Sequence, residues 1–475
     1  MPQTLFDSNI SIRRTNVTYD EKMRQVDQYI DDHLSDFIAD LTELCAFPTV
    51  AAQNQAIDET AEFTAKLLEK YGFSARVMPS SGNPMVYGEL NGAADNTVLC
   101  YNHYDVQPAE PIELWDSPPF EATERDGKLY ARGVVDDKGH IICRLAAIAA
   151  LRAVYGNVPC SVKMLIEGEE EIGSMSMESF IEEHRDMLTG ADGCLWEFGG
   201  VDFEDRPEIV LGMRGDVYVE LRAKTVSHDA HSGLGGSIFP NAAWRLTWAL
   251  STLKGIDERI LIPGWYDDVR EPTEAEFDLL RHLPRSDESL KEAFGLKAFL
   301  KDVDGVEMLR QQLFEPTCTI AGLGSGYQGP GSKTVLPAEA MAKVDFRIVP
   351  DQEPDDLVAK LRNHLIDQGF DDIEVIQHGG SRAARVDPDS PFVQMVIQTA
   401  REVYGTDPVV APTSGGSGPM DPFVRLLNVP ISNVGIGYSS TLVHSPNENM
   451  RIADFVKGIK QTARVMARVG QGEAR

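Results

Sequence analysis

The sequence predicts a two-domain α/β protein, with an α+β unit inserted into a domain built on a largely parallel or mixed central sheet. Three observations predict it. The chain has 475 residues, more than one hydrophobic core ordinarily serves. Helix-type and strand-type periodicities alternate up to about residue 211, as in a sheet covered by helices. From Gly212 the pattern changes to half-exposed alternating strands, and the first style resumes near Phe392. The expected division is 1–211 and 389–475 for the first domain and 212–388 for the insert.

Met23, Val26, Ile30, Leu34, Phe37, Ile38, Leu41 and Leu44 recur at helical spacing, and Pro48 ends that helix. A second helix is expected near 58–71, stopping at Gly72. Short β-type runs follow at 85–89 and 98–101. A long apolar helix is then expected over 141–155 and a buried strand over 162–166. In the insert, Val217, Val219 and Leu221 alternate as a strand and 242–253 reads as a helix. A charged stretch fills 257–304. Strands at 317–321 and 342–349, a helix at 355–368 and a strand at 373–377 complete the α+β unit. The helix at 392–404 and the apolar run 431–434 return to the first domain.

Apolar residues make up 42% of the chain and charged residues 25%, which is a globular composition. Lys and Arg number 44 against 74 Asp and Glu, a formal net charge of −30. Such a field repels phosphate backbones and anionic lipid, so nucleic acid and membrane surfaces are not expected partners. No run is long and apolar enough to span a bilayer. Arg13 and Arg14 precede no apolar stretch of the secretory type, so no signal peptide is expected. The six cysteines lack any C-x-x-C spacing. Most lie in apolar runs and read as buried free thiols, which points to the cytoplasm.

The chemistry lies in where histidines and carboxylates fall. His103 and Asp105 follow the run 98–101, and Glu169, Glu170 and Glu171 follow 162–166. Glu197 ends the apolar run 194–196, and His444 lies beyond 431–434. In open α/β sheets, ligands bind outside the carboxyl ends of the strands. Four strand ends thus bring metal-type side chains to one sheet edge, and Asp136 and Asp137 add a pair before the long helix. Each alone has an ordinary explanation: a surface histidine, a solvated turn, a helix N-cap at Asp136-Asp137. Chance rarely places such side chains after successive buried strands. Gly324, Gly326 and Gly329 match the spacing of a dinucleotide loop, but Pro330 excludes the helix that loop needs.

The runs His103-Tyr-Asp105-Val-Gln-Pro108, Arg132-Gly-Val-Val-Asp136-Asp137-Lys-Gly139 and Glu167-Gly-Glu-Glu170-Glu171-Ile-Gly-Ser174 closely resemble the metallopeptidase family of carnosinase-like dipeptidases. That family includes carboxypeptidase G, acetylornithine deacetylase, succinyl-diaminopimelate desuccinylase and aminoacylase. The resemblance continues through Asp229-Ala-His231-Ser-Gly233, Lys333-Thr-Val-Leu-Pro337, Phe346-Arg347-Ile-Val-Pro350, Gly415-Gly416-Ser417 and His444-Ser-Pro-Asn-Glu448. It implies a zinc-peptidase-like catalytic domain interrupted by a lid and dimerisation domain. It also implies two divalent metal ions, zinc first and manganese or cobalt as alternatives. Asp136 would bridge them, with His103 and Glu197 on one and Glu171 and His444 on the other. Glu170 would be the general base, and Asp105 would orient His103 by accepting its other ring N–H.

The family also implies a homodimer through the lid, in which His231 reaches the partner's site, and substrate contacts from Arg347, Gly416 and Ser417. Glu197 departs from the aspartate common among the dipeptidases, and the stretch 192–197 is one residue short, which leaves Asp192 and Asp202 as alternatives. The expected reaction is hydrolysis of an amide bond in a dipeptide or similar small peptide with a free carboxylate. An N-acyl-amino-acid deacylase using the same machinery is the alternative, and a non-catalytic binding protein a remote one.

Overall fold

The computed structural model describes residues 18–474. Most of the N-terminal stretch in which no signal peptide is expected lies outside them. The central sheet has six strands in the order Ser74–Met78, Met85–Leu90, Cys160–Glu167, Ala94–His103, Gly193–Trp196, Ile431–Asn433. The last four run parallel to one another, and the first two form an antiparallel hairpin on one edge. The sheet is therefore mixed, as expected. Its parallel strands are buried along nearly their whole length, which is why they read as continuous apolar runs rather than as alternation.

Helices cover this sheet. Lys138–Tyr155 is almost wholly buried, and it packs against the C-terminal helix Ile452–Gly470. The C-terminal helix has no counterpart in the sequence reading, although Phe455, Ile459, Ala463 and Met466 give it a clear inward stripe. The single helix expected from Met23 to Leu44 is two, Tyr19–Asp32 and Leu34–Cys45. The break is at His33, which leaves helical φ/ψ, stacks on Tyr29 and bonds its carbonyl through Nδ1. The apolar stripe runs on through the bend, so periodicity alone did not reveal it.

A second core is built on an antiparallel sheet ordered Thr319–Ser325, Glu339–Ile348, Gly215–Lys224, Glu374–Ser381. Val217, Val219, Leu221, Val344 and Phe346 face its helices Ala242–Leu250 and Pro354–Asp367. The chain passes between the two cores through the paired short strands Gly212–Met213 and Ala384–Arg385. The charged stretch holds more structure than its composition suggests. Helix Glu274–His282 starts with a capping box from Thr273 and Glu276. Its Leu280 joins Met308, Leu309, Leu313 and Phe314 in a small third core.

All six cysteines are free and buried. Among the described residues no helix is long and apolar enough to cross a membrane.

Candidate active site

The four parallel strands end at one edge of the sheet, and the predicted residues gather there. His103 is the last residue of its strand and stands in register with Glu167, the last of the neighbouring strand. Glu197 follows Trp196 directly, and the loop after Ile431–Asn433 carries His444. Asp136 precedes helix Lys138–Tyr155.

Asp136 lies between the two histidines. Its Oδ1 is 3.1 Å from His103 Nε2 and its Oδ2 is 3.0 Å from His444 Nε2. Glu171 Oε2 is 3.3 Å from His444 Nε2, and Glu197 Oε2 is 3.9 Å from His103 Nε2. Two groups of potential ligand atoms result, His103 with Asp137 and Glu197, and Asp136 with Glu171 and His444. From sequence alone Asp137 reads as half of a pair or as a helix cap. It occupies the N-cap position but makes no capping bond. Its Oδ2 instead accepts from Asn102 Nδ2 (2.7 Å) and the His103 backbone N–H (3.1 Å). Its Oδ1 has no hydrogen-bond partner among the described residues, but it is Asp136 whose two oxygens lie next to both histidines.

The residues fit divalent cations. Glu197 is buried, and its Oε2 lacks any hydrogen-bond partner within the protein, which is costly for a carboxylate unless a cation completes it. Burial, with Glu170 close by, pushes the Glu197 carboxyl well above the usual range. Hydrogen bonds to Asp136 and then to Glu171 raise His444 to about 10. Burial works against a charged His103, but Asp105 and Asp136 outweigh it and hold the imidazole well above its ordinary value. Carboxylates and imidazoles in this ratio form an N/O donor set suited to zinc, manganese or cobalt.

Three consecutive glutamates point three ways. Glu169 turns inward, accepting the backbone N–H of Asn83 (3.0 Å) and of Ser176 (2.7 Å). Glu171 faces His444 and accepts from Gln107 Nε2 at 2.8 Å. Glu170 lines a cleft of about 600 Å³ whose far wall, with Asp216 and Arg382, comes from the insert and its return. Burial raises its carboxyl to about 7, with Asp136 and Glu171 adding to the shift and His103 opposing it.

Asp105 does more than orient a histidine. The His103 Nδ1 lies 3.0 Å from the Asp105 carbonyl and 3.5 Å from its carboxylate. The carboxylate oxygens accept the backbone N–H groups of Glu170 (3.2 Å) and Glu171 (3.1 Å), which fixes the turn that carries both. Arg144, buried in the long helix, donates to the Trp196 carbonyl at 3.1 Å and so anchors the strand end before Glu197.

Glu448 closes the run that begins at His444, and no local pattern signals its role. Its Oε2 accepts from Arg132 Nη1 (2.7 Å) and Gly133 N (2.9 Å), and its Oε1 from Val135 N (3.0 Å) and Asp136 N (3.2 Å). Four residues after His444, this carboxylate ties the loop of one histidine to the loop of Asp136. Glu448→Gln turns an NH₂ toward two of these donors. It is expected to weaken divalent-metal binding about 10–100-fold, as outer-shell changes do. Competition against a chromophoric chelator measures this, and unchanged affinity in a folded variant would refute it.

The alternatives to Glu197 are engaged elsewhere. Asp192 accepts the Thr97 N–H at 2.8 Å, at the opposite end of the strand that leads to Glu197. Asp202 takes Arg206 Nη2 at 2.7 Å and two backbone N–H groups. Arg347 and Ser417 meet, Nη1 to Oγ at 2.8 Å. Gly416 is exposed, with the Ser414 hydroxyl in ordinary contact beside its Cα, and its carbonyl accepts the Arg214 N–H at 2.9 Å. His231 is not brought to these residues within the chain. It is exposed, and its Nδ1 accepts the Gly233 N–H at 3.0 Å at the start of a short turn of helix.

Known proteins share this arrangement of chain. The sequence is 27% identical over 484 residues to the beta-Ala-His dipeptidase of Homo sapiens, covering 94% of this chain and 93% of that protein. It is 28% identical over 471 residues to the Cys-Gly metallodipeptidase DUG1 of Saccharomyces cerevisiae, covering 93% and 97%. Among solved structures, an M20 family metallo-carboxypeptidase from Sulfolobus solfataricus superposes with a TM-score of 0.86 at 39% identity, over 92% of this chain and 99% of that one. Residues 99–468 match the model of peptidase family M20/M25/M40, a span that holds all the residues gathered at the sheet edge. The chain belongs to peptidase family M20/M25/M40 and is a metal-dependent peptide hydrolase.

Proposed function

We propose that the protein hydrolyses the amide bond of dipeptides, or of similar small peptides ending in a free carboxylate, with two divalent metal ions. The observation that carries this reading is Asp136, whose two oxygens face His103 and His444 at 3.1 and 3.0 Å beside the cleft that Glu170 lines. Asp136 would bridge the ions, His103 and Glu197 would hold one, and Glu171 and His444 the other. Zinc suits these donors best, with manganese or cobalt able to replace it. Bound there, the cations would supply Lewis acidity and make water a stronger nucleophile near neutral pH.

The chain's own residues then handle substrate and protons. Glu170, with its carboxyl raised to about 7, is poised to take the proton of the attacking water and return it to the leaving amine. Asp105 holds His103 and the Glu170–Glu171 turn in register. Arg347 and Ser417, 2.8 Å apart, offer a guanidinium fork and a hydroxyl to the terminal carboxylate, and Gly416 lets the substrate approach the backbone. The names of the human and yeast relatives, both dipeptidases, and of the archaeal carboxypeptidase support a small peptide cut near its C-terminus. The buried free thiols favour the cytoplasm.

Arg347→Ala tests the reading. It is expected to raise KM about 10–100-fold for free-acid dipeptides, the loss of a charge-assisted pair of bonds, and hardly at all for their C-terminal amides. Lysine should rescue only partly. Equal losses on acid and amide would remove the exopeptidase reading. Faster turnover of N-acetyl or N-succinyl amino acids than of dipeptides would favour a deacylase.

The insert, 212–388, would act as the lid and dimerisation domain. Its helix Ala242–Leu250 exposes Trp244 and Trp248, stacked with centroids 5.7 Å apart, and Leu234 and Ile238 are exposed close to His231 in the chain. Exposed aromatic and aliphatic side chains of this kind suit a second copy of the chain, whose site His231 would complete. Mixing His231→Ala with Glu170→Gln should then restore activity, to about one quarter of the wild-type level at random subunit exchange, because half the dimers would hold one intact site. No recovery with exchange demonstrated would place His231 in its own chain or outside catalysis.

A further inference from the structure

Arg214 stands where the chain crosses from the first core to the insert. It follows the strand Gly212–Met213 and precedes Gly215–Lys224, and it is buried. Its backbone N–H donates to the Gly416 carbonyl at 2.9 Å, and one step back the Ser414 N–H donates to the Gly212 carbonyl at 2.9 Å. The loop carrying Gly416 and Ser417 is therefore laddered onto the crossing strand. The Arg214 side chain points the other way. Its Nη1 donates to the Gln312 carbonyl and its Nη2 to the Glu315 carbonyl, both at 2.5 Å. These close the end of helix Gly305–Phe314, where a cation is favoured. The same Nη2 also donates to the Arg347 carbonyl at 3.3 Å.

One residue thus holds the loop of Ser417, through its backbone bond to Gly416, and the strand of Arg347, through its guanidinium. The Arg347 main chain is otherwise held by Thr317, which donates its N–H to the Arg347 carbonyl (2.8 Å) and accepts the Arg347 N–H through Oγ1 (3.1 Å). We propose that Arg214 is a positioning residue that sets the distance between Arg347 and the Gly416–Ser417 loop, and through it the preference for a free carboxylate. This rests on the reading of Arg347 as the carboxylate contact. Arg214 touches no substrate. It acts because the fork of one residue and the loop of another must meet the same two oxygens, and a displacement of about 1 Å in a positioned group can cost up to 10²-fold.

Arg214→Lys is the test, since lysine keeps the charge but cannot donate to three carbonyls in one plane. The expected result is a KM raised about tenfold for free-acid dipeptides. The kcat should stay within about twofold, the KM for the C-terminal amides unchanged, and the bound metal at wild-type content. Thr317→Val, which removes the Oγ1 that accepts the Arg347 N–H on the same strand edge, should shift the acid-to-amide ratio in the same direction by a smaller factor. Equal losses on acid and amide, an unchanged ratio, or loss of the fold in Arg214→Lys would each overturn the proposal and leave Arg214 a structural residue. Arg347→Ala measured alongside separates the two failures. If it is selective for acids while Arg214→Lys is not, the positioning role alone falls. If it is not selective, the carboxylate reading falls first and the positioning role with it.

Discussion

Glu170→Gln is expected to lower kcat by about 10²–10⁴-fold, the usual range for a general base, with metal content and KM little changed. The reason is local. Among the described residues the potential ligand groups contain Glu171 and not Glu170, and Glu170 faces the cleft shared with the insert. Its carboxyl is raised to about 7, first by burial, so near neutral pH it can both take and give a proton. Glutamine keeps the shape and removes that ability. Glu171→Gln should do the converse, because it faces His444 at 3.3 Å: metal affinity falls, and activity returns in part when metal is added in excess. Metal analysis of both purified variants with their rates decides between them. A metal-poor Glu170→Gln beside a metal-replete, inactive Glu171→Gln would exchange the two roles.

Chelation should take turnover to the uncatalysed background, and added divalent metal should restore it. The uptake of metal should also release protons. In the metal-free protein His444 is raised to about 10, His103 lies well above its ordinary value, and the Glu197 carboxyl is held well above the carboxylate range. Near neutral pH His444 therefore carries a proton that metal binding must displace, and the upward shifts of His103 and Glu197 add to that demand in the same direction. The sign follows: a group with a raised pKa keeps its proton until the pH passes that value, so apparent metal affinity climbs as pH rises and is lost on acidification. Calorimetric titration of the metal-free protein in buffers of different ionisation enthalpy should report a net release of protons on loading at pH 7. Heats independent of buffer would exclude these histidines and Glu197 as the groups that metal displaces.

Much of the site was legible because its residues follow apolar runs in the chain. The strand Ala94–His103 ends on His103, and Cys160–Glu167 leads straight into Glu169, Glu170 and Glu171. Where a side chain's position depends on a distant partner, the reading went less far. The Asp105 carboxylate lies 3.5 Å from His103 Nδ1, and the same oxygens also accept the N–H groups of Glu170 and Glu171, a second task that no local pattern records. The helix Glu274–His282 was lost among charges, because its buried Leu280 has its apolar neighbours about thirty residues away, at Met308 and Leu309. The C-terminal helix, by contrast, is local in origin: Phe455, Ile459 and Ala463 form a regular inward stripe.

The sequence by itself determined the kind of fold and the kind of chemistry. Runs of buried β-type residues, most of them followed by His, Asp or Glu, leave little other than a sheet edge dense in metal-type donors, and a period of 2 or 3.6 is written in neighbouring residues. Only the tertiary structure decided which donors meet. It set Glu197 beside His103 while Asp192 took the Thr97 N–H and Asp202 the Arg206 guanidinium. It brought Glu448 onto the Asp136 loop across 312 residues of chain, and Arg214 onto the Arg347 carbonyl across 133. A hydrogen bond is decided within about half an ångström. The chain reaches that accuracy between distant residues only after both cores have packed, so no local pattern records it.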